Sequence, residues 1–373
     1  MKFSIKKSVL QDALQIAISA IPNKSTLQIL NDYSLRLEGN ILEICATDLN
    51  LGVRIKLEVA GERDGEALIN ARKFSDLIKA LVEPSIETIS VDVQDHLTRI
   101  KWSERGQASI TSFDASDFPP FPEVEGATLT LAASELAFLV EKTSFAVSTD
   151  NTRQNLNGVF MEAKDGKISM VATDGHRMGR AYIDQEGASL NTDSGIIVLP
   201  KVLQLVLRLA KNDDSVEICT TETHVLFRIG STQIISKLIE GPYPNYRAVI
   251  PHNFERTVQA NATELLNKVH GILPMANPRT HQIRFQMDGN NMELSATDPD
   301  VGGETREALA ITHNGEGSFS IGFDGRYFYE ILGLCKSEEV VLKMNTPIGA
   351  CIVEPVGEDL NFSFLLMPLR LAD

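Results

Sequence analysis

Apolar and polar residues alternate along several short stretches of this chain: Ser34 to Asn40, Thr88 to Val93, Val225 to Ile229 and Val340 to Met344. Each is bounded by turn residues, so each predicts a strand with one buried face. Six other stretches, 6–24, 71–83, 132–148, 200–212, 261–272 and 324–336, repeat their apolar positions at helical spacing. Ser8, Ser134 and Thr263 stand where the first, third and fifth helices would be capped, Asp324 suits the cap of the sixth, and Pro200 suits a first helical position. The strict βαβ order of a parallel sheet is missing. The pattern therefore predicts an α+β fold, with antiparallel strands carrying helices on one face.

The chain also repeats itself. Ala46-Thr47-Asp48, Ala172-Thr173-Asp174 and Ala296-Thr297-Asp298 each close an alternating run, and Gly52, Gly179 and Gly302 follow them. Each of three units ends on a proline cluster: Phe118-Pro119-Pro120-Phe121, Tyr243-Pro244-Asn245-Tyr246 and Leu366-Met367-Pro368-Leu369. Three similar domains of two helices each, 1–125, 126–252 and 253–373, are expected from this spacing.

Composition narrows the class. The 373 residues are 43% hydrophobic and 23% charged, which excludes disorder and fibrous repeats. The formal net charge of -15 argues against a protein that grips nucleic acid over its whole surface. The charge is unevenly spread, however: the six predicted helices carry 13 Lys and Arg against 8 Asp and Glu. Lysine-solvated helix faces account for this balance, and so does a weakly basic, helix-lined face for phosphates. Cys45, Cys219, Cys335 and Cys351 are too sparse for a disulfide framework and show no CxxC spacing. Neither a membrane span nor a signal peptide is expected, so the predicted location is the cytoplasm.

Catalytic signatures are weak. Nothing fits a Gly-rich phosphate loop. Asp174-Gly175-His176-Arg177 could serve a phosphoester hydrolase, but no second cluster of carboxylates or histidines accompanies it, and the triplet recurs at Ala46 and Ala296 without the histidine. No metal or other cofactor is expected. A peptide-binding scaffold that ignores DNA is a further alternative.

Three strings, Val171-Ala172-Thr173-Asp174-Gly175-His176-Arg177-Met178, Gly241-Pro242-Tyr243-Pro244-Asn245-Tyr246-Arg247 and Met367-Pro368-Leu369-Arg370-Leu371, in this order and over the whole length, resemble the bacterial sliding clamps. These are the β subunits of the replicative DNA polymerase III. The resemblance implies the DNA clamp fold and a head-to-tail homodimer. It further implies a six-domain ring with helices inside and sheets outside, a processivity factor without catalysis of its own. The implied partners are duplex DNA held without regard to sequence, the polymerase III catalytic subunit, the clamp loader, other polymerases, mismatch-repair proteins and ligase, with no membrane.

By position, the resemblance implies a pocket for short linear peptides at Leu156, Thr173, Gly175, His176, Arg177, Met178, Pro244, Val249, Tyr327, Ile348, Leu365, Leu366, Met367, Pro368, Leu369, Arg370 and Leu371. Met178, Pro244, Val249, Ile348, Leu366 and Met367 would bury the peptide's leucine and phenylalanine, while His176, Arg177 and Arg370 would hold its polar groups. DNA would meet Lys24, Arg72, Lys73, Gln154, Asn155 and Lys201, and the dimer seam would join Ala108 and Ile110 to Ile272 and Leu273. Ile272 and Leu273 read equally well as core.

Overall fold

Residues 1–124, 128–190, 194–298, 302–357 and 361–371 are described by a computed structural model. Among them are six α-helices: α1 (Lys7–Ala17), α2 (Ala71–Ala80), α3 (Ala133–Glu141), α4 (Pro200–Leu209), α5 (Ala262–Ile272) and α6 (Gly325–Cys335). The helices are shorter than the apolar period suggested, because α1, α3 and α5 are followed by separate tight turns at Ile18–Ala20, Ser144–Ala146 and Leu273–Met275. Lys6, Lys24, Lys142, Lys211 and Lys336 consequently lie outside the helices, so much of the expected positive balance belongs to helix ends and loops.

The helix starts also differ from expectation. Ser8, Ser134 and Thr263 lie inside α1, α3 and α5 and are not their caps. A carbonyl from a distant segment does the capping instead, and it does so three times: Lys7 N donates to Glu87 O at 2.8 Å, Ala133 N to Asp214 O at 2.9 Å and Ala262 N to Glu338 O at 2.9 Å. An orphan first-turn donor is satisfied equally well by either route. Asn261 adds a side-chain cap to α5, Asn70 caps α2 and Asp324 caps α6 as expected, while Pro200 opens α4.

The chain forms three tandem domains of antiparallel strands with two helices each, yet its contacts gather into two compact units. The first comprises Met1–Leu136, Ser189–Asp193 and Lys201–Leu238. In it a thirteen-stranded sheet continues from Leu51–Glu58 into Thr232–Lys237, with Val53 opposite Ile234. Helix α1 sets Leu10, Ala13, Leu14 and Ala17 at three- and four-residue spacing toward the core, and α2 does so with Ala71, Phe74 and Ile78. The second unit comprises Ala137–Ala188, Ser194–Pro200 and Ile239–Asp373. Its nine-stranded sheet continues from Arg177–Asp184 into Phe362–Leu366, with Met178 opposite Leu365. A four-stranded sheet of Gly303–Ala310, Asn291–Asp298, Gln282–Asp288 and Phe319–Asp324 accompanies α5 and α6.

The middle repeat is thus shared out, because its two groups of strands each extend a neighbour's sheet. The expected boundary at 125 lies outside the described residues. All four cysteines are buried and none is in a disulfide, and burial pushes the thiols of Cys45, Cys335 and Cys351 up to about 12. No helix among the described residues is long and apolar enough to cross a membrane.

Candidate functional site

The repeated Thr-Asp pair is a turn-building device. After the strand Lys167–Thr173 the chain reverses through Asp174, Gly175 and His176. Thr173 Oγ1 donates to Arg177 O at 2.7 Å and accepts from Gly175 N at 3.1 Å, while Asp174 Oδ1 accepts from His176 N at 2.8 Å and Arg177 N at 3.0 Å. In the first repeat Thr47 bonds Leu51 O at 3.1 Å and Leu49 N at 3.0 Å, and Asp48 Oδ1 takes Asn50 N at 2.8 Å and Leu51 N at 2.6 Å. Short polar side chains thereby satisfy the backbone that a reversal leaves unpaired. The left-handed position falls on Gly175 (φ 92°) in one turn and on Leu49 (φ 73°) in the other.

In the second unit this turn is joined to further groups. Arg177, whose side chain is 11% exposed, donates through Nε to Asp174 at 3.1 Å and through Nη2 to Phe145 O at 2.9 Å, and pairs through Nη1 with Glu330 of α6. Its guanidinium also lies 4.2 Å over the Tyr327 ring. Arg177 therefore anchors the turn to α6, whereas the His176 ring is exposed. Met367 N donates to His176 O at 2.8 Å, Leu369 N to Gly322 O at 2.8 Å and Gln282 Nε2 to Arg370 O at 2.9 Å, which fixes the last residues beside the turn. Leu371 packs against Gly322, where an added β-carbon would come within 2.8 Å of it.

Below the turn, Met178, Val171, Phe160, Ile197, Tyr246, Ile352 and Leu365 form one buried cluster. Tyr243 stacks on Phe160 with ring centroids 4.8 Å apart, and the Tyr246 hydroxyl donates to Glu162 at 2.7 Å. Burial pushes both phenols well above their ordinary range, reinforced at Tyr246 by the Glu162 carboxylate. Three apolar side chains stand exposed on segments that adjoin this cluster: Val249 (57%), Ile348 (65%) and Met367 (38%). Ile250 and Ala350, next along two of those segments, pack on the cluster. Pro244 is exposed on the Tyr243–Tyr246 segment, while Leu156 and Leu366 are buried. Phe160, Tyr243, Tyr246, Ile352 and Glu330 are not among the expected pocket residues. The Tyr-Pro-Asn-Tyr string was the available signal for the two tyrosines; Glu330 had none, since it is distant in sequence.

The first repeat shows what the same scaffold does when closed. Counting from Thr47 and Thr173, Gly52 is the counterpart of Met178, and the Phe121 ring lies 2.8 Å from where a β-carbon on Gly52 would be. Phe121 packs on Val124, Cys219, Leu226 and Ile235, so the chain fills this place with its own aromatic residue.

The other expected residues fall as follows. In the first unit, Arg72 Nη2 donates to Pro22 O at 3.1 Å and Asn23 Oδ1 at 3.3 Å, which brings the start of α2 to the loop carrying exposed Lys24; Lys73 is exposed beside it. Lys201, at the start of α4, pairs with Asp48 at 3.5 Å. In the second unit Gln154 is exposed and Asn155 Nδ2 donates to Pro242 O at 3.0 Å. Ala108 and Ile110 are half-buried on the strand Gln107–Phe113. Ile272 is 1% exposed inside its own chain, so only half-buried Leu273 of that pair offers surface.

Family models describing the DNA polymerase III beta subunit match this chain in three pieces: the N-terminal domain over residues 1–122, the central domain over 130–245 and the C-terminal domain over 247–370. The beta sliding clamp of Treponema pallidum is 30% identical over 375 residues, covering 99% of this chain and 100% of the relative. That of Pseudomonas aeruginosa is 29% identical over 374 residues, covering both chains completely. A crystal structure of the P. aeruginosa DNA polymerase III subunit beta superposes with a TM-score of 0.91 at 26% identity, covering all of both chains. A structure of the DnaN sliding clamp from the same organism bound to griselimycin gives 0.91 at 27% over the same coverage.

Proposed function

Because this chain belongs to the family of the bacterial DNA polymerase III beta subunit, the beta sliding clamps, we propose that it encircles duplex DNA as a dimeric ring, tethers the replicative polymerase and receives partners in the second-unit pocket. The observation that carries the pocket is the set of exposed apolar side chains, Val249, Ile348 and Met367, on segments adjoining the cluster around Met178. Apolar side chains that a chain could bury but leaves at a rim mark a binding surface. They would take the leucine and phenylalanine of a linear peptide from the polymerase catalytic subunit, the clamp loader, other polymerases, mismatch-repair proteins or ligase. His176 and Arg370 would meet its polar groups, and Arg177 would act by holding the turn.

Two open sheet edges support the ring. Gln107–Phe113 pairs along Leu97–Lys101 but meets Gly65–Asn70 only at Ser112 and Phe113, and Gly303–Ala310 has one neighbour among the described residues. Laying the first edge of one copy against the second edge of another would continue both sheets. Such a head-to-tail contact forms a ring when it closes after two copies, here of three domains each, 1–125, 126–252 and 253–373. Ala108, Ile110 and Leu273 would lie in the seam, with Ile272 shaping the α5 end from within. Lys24, Arg72, Lys73 and Lys201, with polar Gln154 and Asn155, would give a weak, sequence-independent hold on phosphates, which suits sliding in the cytoplasm. The ring would raise the polymerase's effective concentration at the primer end.

The test is topological. Loaded onto a nicked circle, the protein should co-migrate with DNA through gel filtration and be lost once the circle is cut to a linear duplex; equal retention on both would refute encirclement. Titration with a QLxLF-type peptide tests the pocket separately.

A further inference from the structure

Residues of a strand alternate sides, so Arg180 lies on the same sheet face as Met178, about 7 Å further along the strand. Val171 stands opposite it on one neighbouring strand and Ser363 on the other. Arg180, Lys167, Tyr182, Ser363 and Glu354 line a cavity of about 230 Å³. Two of the charges there are already matched: Glu354 holds Lys343 at 2.6 Å, and Lys167 has Asp184 at 3.4 Å. Arg180 has an aromatic neighbour instead, the Tyr182 ring 5.8 Å from its guanidinium. Among the described residues no carboxylate lies within ion-pairing distance of its guanidinium, and its buried Nε has no hydrogen-bond partner. An orphaned donor in a buried place is costly, and the planar fork is shaped for a carboxylate.

The first repeat supplies an internal control. Arg54 is the counterpart of Arg180, and its buried Nε likewise lacks a hydrogen bond, but there the guanidinium has Glu43 at ion-pairing distance, 3.6 Å, and the Phe121 ring 4.2 Å from it. At the position of Glu43 the second repeat carries Ser169, and at the position of Lys56 it carries Tyr182. The second repeat therefore has the arginine without its internal carboxylate, on the same face as the apolar cluster.

We propose that Arg180, with Lys167 beside it, is a carboxylate subsite continuous with the apolar pocket, and that it reads an acidic side chain placed beside the apolar anchors of a docking peptide. This rests on the pocket reading above. The spacing of about 7 Å is that of two residues in an extended peptide, so the acid belongs near the anchors and not at a distance.

The experiment is a fluorescence-anisotropy titration of the full chain with three peptides: a QLxLF-type core, the core extended by glutamates at its N-terminal side, and the core extended by glutamates at its C-terminal side. The core should bind wild type and R180Q equally. One acidic peptide should bind wild type about fivefold tighter than the core, a gain typical of a partly exposed charge pair. The gain should vanish in R180Q, persist in R54Q and shrink at high salt. R180K, which keeps the charge and loses the fork, should retain only part of it. Equal binding of all three peptides to wild type, or a gain that survives R180Q, overturns the subsite. A core peptide that fails to bind wild type overturns the pocket reading itself, and the two failures are distinguishable. Should R180Q melt early, K167Q carries the test: a reduced gain supports the subsite and an unchanged gain counts against it.

Discussion

Asp174 and Arg177 are joined twice, by Oδ1 accepting from the Arg177 backbone N at 3.0 Å and by Oδ2 accepting from its Nε at 3.1 Å. The same carboxylate thus shapes the reversal and aims the guanidinium that ties it to α6. Asp174→Ala removes both functions and leaves Arg177 with Glu330 as its remaining carboxylate partner, with an expected loss of about 2 kcal/mol, since a mostly buried charge and the turn lose hydrogen bonds. Urea unfolding should register the loss, and peptide affinity should fall with it, because Met178 and Met367 flank this turn.

The two turns make opposite predictions for glycine. Leu49 holds a left-handed φ of 73° with its side chain 44% exposed, so Leu49→Gly should stabilise the chain by about 1 kcal/mol. Gly175→Ala at φ 92° should cost about the same. Paired denaturation curves would decide; a destabilised Leu49→Gly would mean that its residual contacts outweigh the backbone strain.

Ile348 is 65% exposed, so its replacement by serine should leave the melting temperature unchanged. If it contacts the peptide's apolar anchors, affinity for a QLxLF-type peptide should drop about tenfold, as for loss of one buried aliphatic contact. Undiminished affinity would remove Ile348 from the pocket.

At the proposed seam, the fully buried Ile272 makes a poor probe, because Ile272→Ala should destabilise the chain itself by about 1–3 kcal/mol through cavity formation. Ile110→Glu on the open edge is cleaner. It should shift sedimentation from dimer toward monomer while the melting curve of the isolated chain hardly moves, and an unshifted dimer would place the seam elsewhere.

Asp32 is 8% exposed, and burial raises its carboxyl above the ordinary range despite a hydrogen bond from Asn70. A carboxyl whose folded-state value is raised favours folding while protonated. Its contribution is complete below the unfolded-state value and is lost as pH rises through the folded-state value. Asp32→Asn should therefore gain stability relative to wild type between acidic and neutral pH. Urea midpoints at both ends of that range test the sign; a difference that does not grow with pH contradicts it.

Much of the fold was legible. The alternating runs became the strands Asp32–Glu38, Thr88–Gln94, His224–Ile229 and Glu339–Met344, and Pro200 and Asp324 start helices as their chemistry requires. Local backbone preference and the burial of one face act over a few residues, which is the range a sequence displays. The Thr-Asp triplets were legible as a repeat, but their role as turn builders emerged only with the hydrogen bonds of Thr173 and Asp174.

By itself the sequence determined the number of repeats, the two helices and several of the strands in each, and the apolar residues offered to a site. Tertiary structure decided which offers were taken up. Glu87, Asp214 and Glu338 cap helices from far along the chain in place of Ser8, Ser134 and Thr263. Phe121 closes over Gly52, while Val249, Ile348 and Met367 stay uncovered near Met178. Arg177 is drawn into the protein by Glu330, and Arg180 is left without the carboxylate that Arg54 has. Each outcome depends on what a distant segment brings within a few ångströms, and hydrogen bonds, ion pairs and packing act only at that range.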